Sequence, residues 1–181
     1  MRKIGWRITA ILGVLLLNCS FDYKEAQVPE EVEDIIPNIL LEGFRQTVVS
    51  KGSVVLRIKV ERAEGFEKKK RTVFYKVQFS EFDEEGALLT EGRADRVEYE
   101  WDTKNATITG NIFIRSIREE GTLIAESLIW KDKERTLTSR PQERVRLQDN
   151  KGSWIEGSNF VADMRRLLLS FGEAVQGQYV E

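Results

Sequence analysis

Histidine is absent from these 181 residues. With it go the commonest general base, the commonest metal ligand and the usual partner of a nucleophilic serine or cysteine. Cysteine occurs once, as Cys19, so no disulfide within the chain can staple the fold. Proline is scarce, and the whole stretch between Pro37 and Pro141 is free of it, as strands that must donate ladder hydrogen bonds require. No apolar run reaches the ~20 residues of a membrane-spanning helix. A basic excess is lacking too: 28 Lys and Arg stand against 30 Asp and Glu. That balance argues against a nucleic-acid partner, whose polyanionic backbone demands clustered cations. What remains is a normal globular mix, 41% apolar and 32% charged, enough for one domain with a sizeable core.

Residues 1–19 read as an export leader. Arg2, Lys3 and Arg7 form a basic region, and Ile8 to Leu17 is a short apolar core of signal-peptide length. Without those three cations the balance is 25 basic residues against 30 acidic. Leu16-Leu17-Asn18-Cys19 resembles a bacterial lipobox, although Asn18 departs from the usual small residue. Lipidation would give the lone Cys19 a purpose, with a signal anchor or a buried thiol as the plainer alternatives. Residues 20–44 follow as an acidic tether, with Glu30, Glu31, Glu33 and Asp34 between Pro29 and Pro37.

From residue 45 to 181 the pattern predicts an all-β domain of roughly ten or more strands. Val54, Leu56, Ile58 and Val60 share one face, as do Val73, Tyr75, Val77 and Phe79, so the period is two. Ile39 to Val49 fits either a strand or a short helix. Three charged turns end in Gly86, Gly121 and Gly152, each followed by an apolar pair (Leu88-Leu89, Leu123-Ile124, Trp154-Ile155). Their spacing of 35 and then 31 residues is that of stacked supersecondary units too short to bury an apolar face alone.

These turns, the alternating aromatic strands, the segment Leu123-Ile124-Ala125-Glu126-Ser127-Leu128-Ile129-Trp130 and the closing Gly152-Ser153-Trp154-Ile155-Glu156-Gly157 carry a resemblance. The domain resembles LptC, a family of periplasmic subunits of lipopolysaccharide export ABC transporters, and its OstA-like relatives. The resemblance implies an open antiparallel β-jellyroll with an apolar interior for acyl chains. It also implies periplasmic location at the inner membrane, docking on ABC transporter membrane subunits, and delivery of lipopolysaccharide or a related glycolipid to a periplasmic OstA-like bridge protein. No cofactor or metal is implied. Typical members keep an N-terminal transmembrane helix, where this chain has a short apolar run ending at a cysteine.

Alternation assigns fifteen residues to the interior face: Leu56, Ile58, Tyr75, Val77, Phe79, Val97, Tyr99, Trp101, Ile112, Ile114, Leu128, Trp130, Val145, Leu147 and Trp154. They either fill an ordinary sandwich core or line a lipid groove. Leu167, Leu169, Phe171, Val175 and Tyr179 form an unguarded C-terminal edge for a partner strand. Lys68-Lys69-Lys70-Arg71 reads as a solvated hairpin tip or a phosphate contact. No Ser–Lys or carboxylate spacing singles out a catalytic pair, so the chain reads as non-enzymatic. A second reading is a packed β-sandwich lipoprotein that binds a protein partner and carries no lipid.

Overall fold

Twelve β-strands account for the regular structure of the computed structural model, which describes residues 36–181. They are β1 (Ile39–Ser50), β2 (Ser53–Phe66), β3 (Arg71–Phe82), β4 (Leu88–Glu100), β5 (Ala106–Ser116), β6 (Gly121–Lys131), β7 (Thr136–Thr138), β8 (Val145–Asp149), β9 (Trp154–Ser158), β10 (Val161–Asp163), β11 (Leu168–Ser170) and β12 (Glu173–Gln178). There is no helix among the described residues. The ambiguous segment at 39–49 is therefore strand, and it begins inside the 20–44 range expected for the tether. The leader and Cys19 lie outside the described residues.

Strands β1 to β6 form an antiparallel meander. The charged turns explain why. Asp83 Oδ1 accepts the N–H groups of Glu85 and Ala87, and Asp149 Oδ1 those of Lys151 and Ser153 at the same offsets. In both, the glycine three residues on takes the left-handed φ that the turn needs, +87° at Gly86 and +97° at Gly152. The middle turn differs: Glu120 takes the positive φ, and Gly121 is already strand.

At β6 the sheet forks. Positions 129–131 pair with β7, and through it with β10 and β11; positions 121–125 pair with β8, then β9, then β12. The fork extends a bend that crosses β2 to β6. Register shifts fall between Arg93 and Arg96 and between Thr109 and Ile112, with positive φ at Lys76, Gly110 and Asn111. Bulges bend a strand and reset which side chains face inward. In β4 the inward set passes from Gly92 and Ala94 to Val97 and Tyr99, and in β6 from Leu123 and Ala125 to Leu128 and Trp130. Each long strand thus serves two facing layers. The first layer holds positions 62–66, 71–75, 96–100, 106–109 and 127–131 with β7, β10 and β11. The second holds 53–60, 77–82, 88–94, 112–116 and 121–125 with β8, β9 and β12. One core joins them: Leu128, Leu137, Phe160 and Ala162 pack with Ala94, Ile112, Ala125 and Val145.

Candidate functional site

Beyond the closed core the layers part between the two branches of the fork, leaving an open groove of about 1010 Å³. Its second-layer wall carries Ile114, Leu123, Leu147 and Ile155, and its first-layer wall Leu137, Ala162 and Leu169. Leu123 pairs with Leu147, and Leu147 with Ile155, so these three align across adjacent strands on one face. Phe160 closes the deep end. It is fully buried, tilted against Phe171 with ring centroids 5.3 Å apart. Thr90 and Ser116 are polar groups along the groove, and Gln148, Gln176 and Gln178 border it from strand positions on the face of Trp154. No lysine or arginine lines it, and its acids are Glu119, which pairs with Arg118, and Asp149. At Asp149 burial works to raise the carboxyl pKa, but hydrogen bonds from Ser153, Lys151 and Gly152 outweigh it and hold it below the usual range. That carboxylate is occupied in the turn. Among the described residues no group of three acidic, Cys or His side chains is placed to hold a metal ion.

The fifteen interior positions divide. Val97, Ile112, Leu128, Trp130 and Val145 belong to the closed core or pack on it. Ile114 and Leu147 pack on that core and also line the groove. Leu56, Ile58, Val77, Phe79 and Tyr99 are half-buried on the inner side nearer β1. Phe79 sits so closely over Gly92 that a Cβ there would lie 2.4 Å from its ring.

Two placements, Tyr75 and Trp154, correct the alternation. Tyr75 takes the outer face, its hydroxyl donating to Glu64 at 3.0 Å with Arg62 over its ring. The inward face flips at Lys76, so the parity of Val77 and Phe79 does not run back through it. Trp154 borders the groove, but its ring lies 4.1 Å from the Arg146 guanidinium, on the strand face opposite Leu147 and Ile155. Trp101 lies past the end of β4 in a turn and keeps to the side of Tyr99, its indole N–H donating at 2.9 Å to Oγ1 of Thr72, which pairs with Tyr99.

The C-terminal edge is in fact two edges. Strand β11 ends the first-layer branch and β12 the second-layer branch, one on each side of the groove. Leu169, Val175 and Tyr179 line the groove, and Leu167 is 88% exposed in a turn. Phe171, expected at the edge, packs instead against Phe160 and Gly157. The basic run is a hairpin tip held by acids: Lys70 pairs with Asp102 at 2.9 Å, Arg71 pairs with Glu98, and Lys68 and Lys69 are engaged as well.

Alternation overlooked Leu123, Ala125, Leu137, Ile155, Phe160 and Ala162. Phe160 had a signal, a large aromatic after Gly157-Ser158-Asn159, but only the fork shows what it plugs.

Fold and groove together define an open, antiparallel β-jellyroll with an apolar cleft at one end. The chain belongs to the family described as lipopolysaccharide-assembly, LptC-related, which it matches over residues 8–180. Among solved structures it resembles LptH of Pseudomonas aeruginosa, described as the LptA-homologous periplasmic component of the conserved lipopolysaccharide transport device. The likeness has a TM-score of 0.53 at 14% identity, covering 70% of this chain and 95% of that one. No curated protein matches the chain.

Proposed function

We propose that this protein is a non-catalytic lipid carrier of a lipopolysaccharide-export machine. In this reading it takes acyl chains of lipopolysaccharide or a related glycolipid into its groove at the inner membrane. It receives them from ABC transporter membrane subunits and passes them to a periplasmic OstA-like bridge protein. The observation that carries the reading is the apolar cleft itself, open between two sheet edges where a packed sandwich would be filled. A methylene needs about the ~30 Å³ of a liquid water, so the cleft has room for roughly two acyl chains. Burying ~300 Å² of one chain at ~25 cal/mol per Å² gains on the order of 7 kcal/mol. The costs of association reduce that and keep capture reversible, as handover requires. The paired edges β11 and β12 favour a partner that extends the sheet by strand addition and so continues the cleft.

Neighbouring residues on opposite faces give the test. A photo-crosslinking side chain at Leu169, in the groove wall, is expected to capture lipid, and one at Leu168, on the outer face of the first layer, is not. Equal capture at both positions would sink the carrier reading in favour of surface adhesion.

A further inference from the structure

The outer faces of the two layers differ in charge. In the first layer, Arg62 pairs with Glu64, while Arg71 and Arg96 both pair with Glu98. Those cations are spent on their own sheet. The outer face of the second layer is built otherwise. Its cross-strand register runs Arg45, Lys59, Gln78, Arg93, Phe113, Ile124, Arg146, Glu156. The adjacent row runs Arg57, Ser80, Glu91, Arg115, Thr122, Gln148, Trp154. Glu91 is held by Arg115 and Glu156 by Arg144. Among the described residues Arg45, Arg57, Lys59, Arg93 and Arg146 make no ion pair, although Arg93 lies within electrostatic range of Asp95. The bend bounds the face with Glu61, Asp95 and Glu126 against Lys76.

We propose that this outer face of the second layer docks on an anionic bilayer surface. Three features fit that occupant. The row from Arg45 to Arg146 spans seven strands, so at ~4.8 Å per strand it extends about 30 Å, the scale of several headgroups and not of one small ligand. Arg57, Arg93 and Arg146 lie over Phe82, Phe113 and Trp154 at 5.0, 4.9 and 4.1 Å, which supports their stems and leaves the guanidinium edges for phosphate. Between them Ile124 is 41% exposed, an apolar contact at headgroup level. The surrounding chain has a net charge of −2, so the basic face would orient the molecule on approach.

The experiment is co-sedimentation of the full chain with neutral phosphatidylcholine vesicles and with mixed phosphatidylglycerol vesicles, at low and high salt. Stronger partition to the anionic vesicles, weakening with salt, is expected. Arg45→Gln, Lys59→Gln and Arg93→Gln should each lower it roughly fivefold, while Arg62→Gln on the other layer leaves it unchanged. Melting curves establish that each variant is folded. Because Arg45 and Lys59 are exposed and stack on no ring, their double variant decides the matter if Arg93→Gln is unstable. Equal partition to both vesicle types, or full retention by the double variant, overturns the proposal. So does a face that binds only soluble phosphorylated glycolipid. None of these results depends on whether the groove captures acyl chains.

Discussion

Gly110 and Asp95 show at single-residue scale how the bend is held. Gly110 has φ +80°, and a Cβ there would lie 2.7 Å from the Asp95 carboxylate. Asp95 Oδ1 accepts from Lys76 Nζ at 2.8 Å, and Oδ2 accepts from Asn111 Nδ2 at 2.6 Å, so one carboxylate ties β3, β4 and β5 together at the bulges. Those hydrogen bonds hold the Asp95 carboxyl below its ordinary pKa, and the bond and charge of Asp95 raise that of Lys76. The signs follow by linkage. Asp95 contributes stability that is present above its unfolded pKa and lost as pH falls through the lowered folded value. Lys76 contributes below its unfolded pKa, with loss as pH rises through the raised one. Asp95→Asn should therefore melt below wild type at neutral pH, with the gap closing in strong acid; a gap independent of pH would rule out the charge. Lys76 is exposed and Asp95 half-exposed, so the gap is expected to be small. Phe160 is the opposite case, a fully buried side chain with no charge. Phe160→Ala should cost about 3–5 kcal/mol, read from denaturant midpoints.

At the scale of elements, the two short strands β11 and β12 matter most to the proposed handover. An open edge is a template for pairing, and lysine is a natural guard against it. Val175 is 53% and Tyr179 78% exposed, so lysine at either position adds charge without emptying the core. The double variant Val175→Lys, Tyr179→Lys is expected to weaken capture of an OstA-like partner while melting as wild type does. Undiminished pull-down would move docking to another edge, of which β1, twelve residues paired only with β2, is the longest. Proline is a poorer probe at position 175. Ala174 has φ +51°, and the residue before a proline is forced towards extended conformations, so Val175→Pro would strain the bulge as well as the edge.

For the molecule as a whole, acyl chains would occupy the groove while the second-layer outer face rests on the bilayer. A tether would keep the domain there. If Cys19 carries that tether, Cys19→Ala should abolish fatty-acid labelling and leave the precursor uncleaved; equal labelling in the variant would refute it.

Period-two alternation, the paired Asp-x-x-Gly turns and the missing prolines and histidines were enough to give an all-β, histidine-free, disulfide-free domain, because these are local properties of backbone and side chain. The run Leu56, Ile58, Val60 reads as a half-buried strand from its own residues alone. The outward direction of Tyr75 and Trp154 was not legible. At Tyr75 the face reverses through the left-handed φ of +52° at Lys76, with no change of register against β2 or β4. A lysine does not announce that backbone state. At Trp154 the strand simply turns Ile155 inward against Leu147. The fork at β6 was equally hidden, since nothing local to residues 121–131 says that one half will pair with β8 and the other with β7. That choice decides whether the apolar faces meet as a filled core or part into a groove. It rests on contacts between residues as distant in sequence as Leu123 and Leu169, both of which line the cleft, and only the folded chain brings them together.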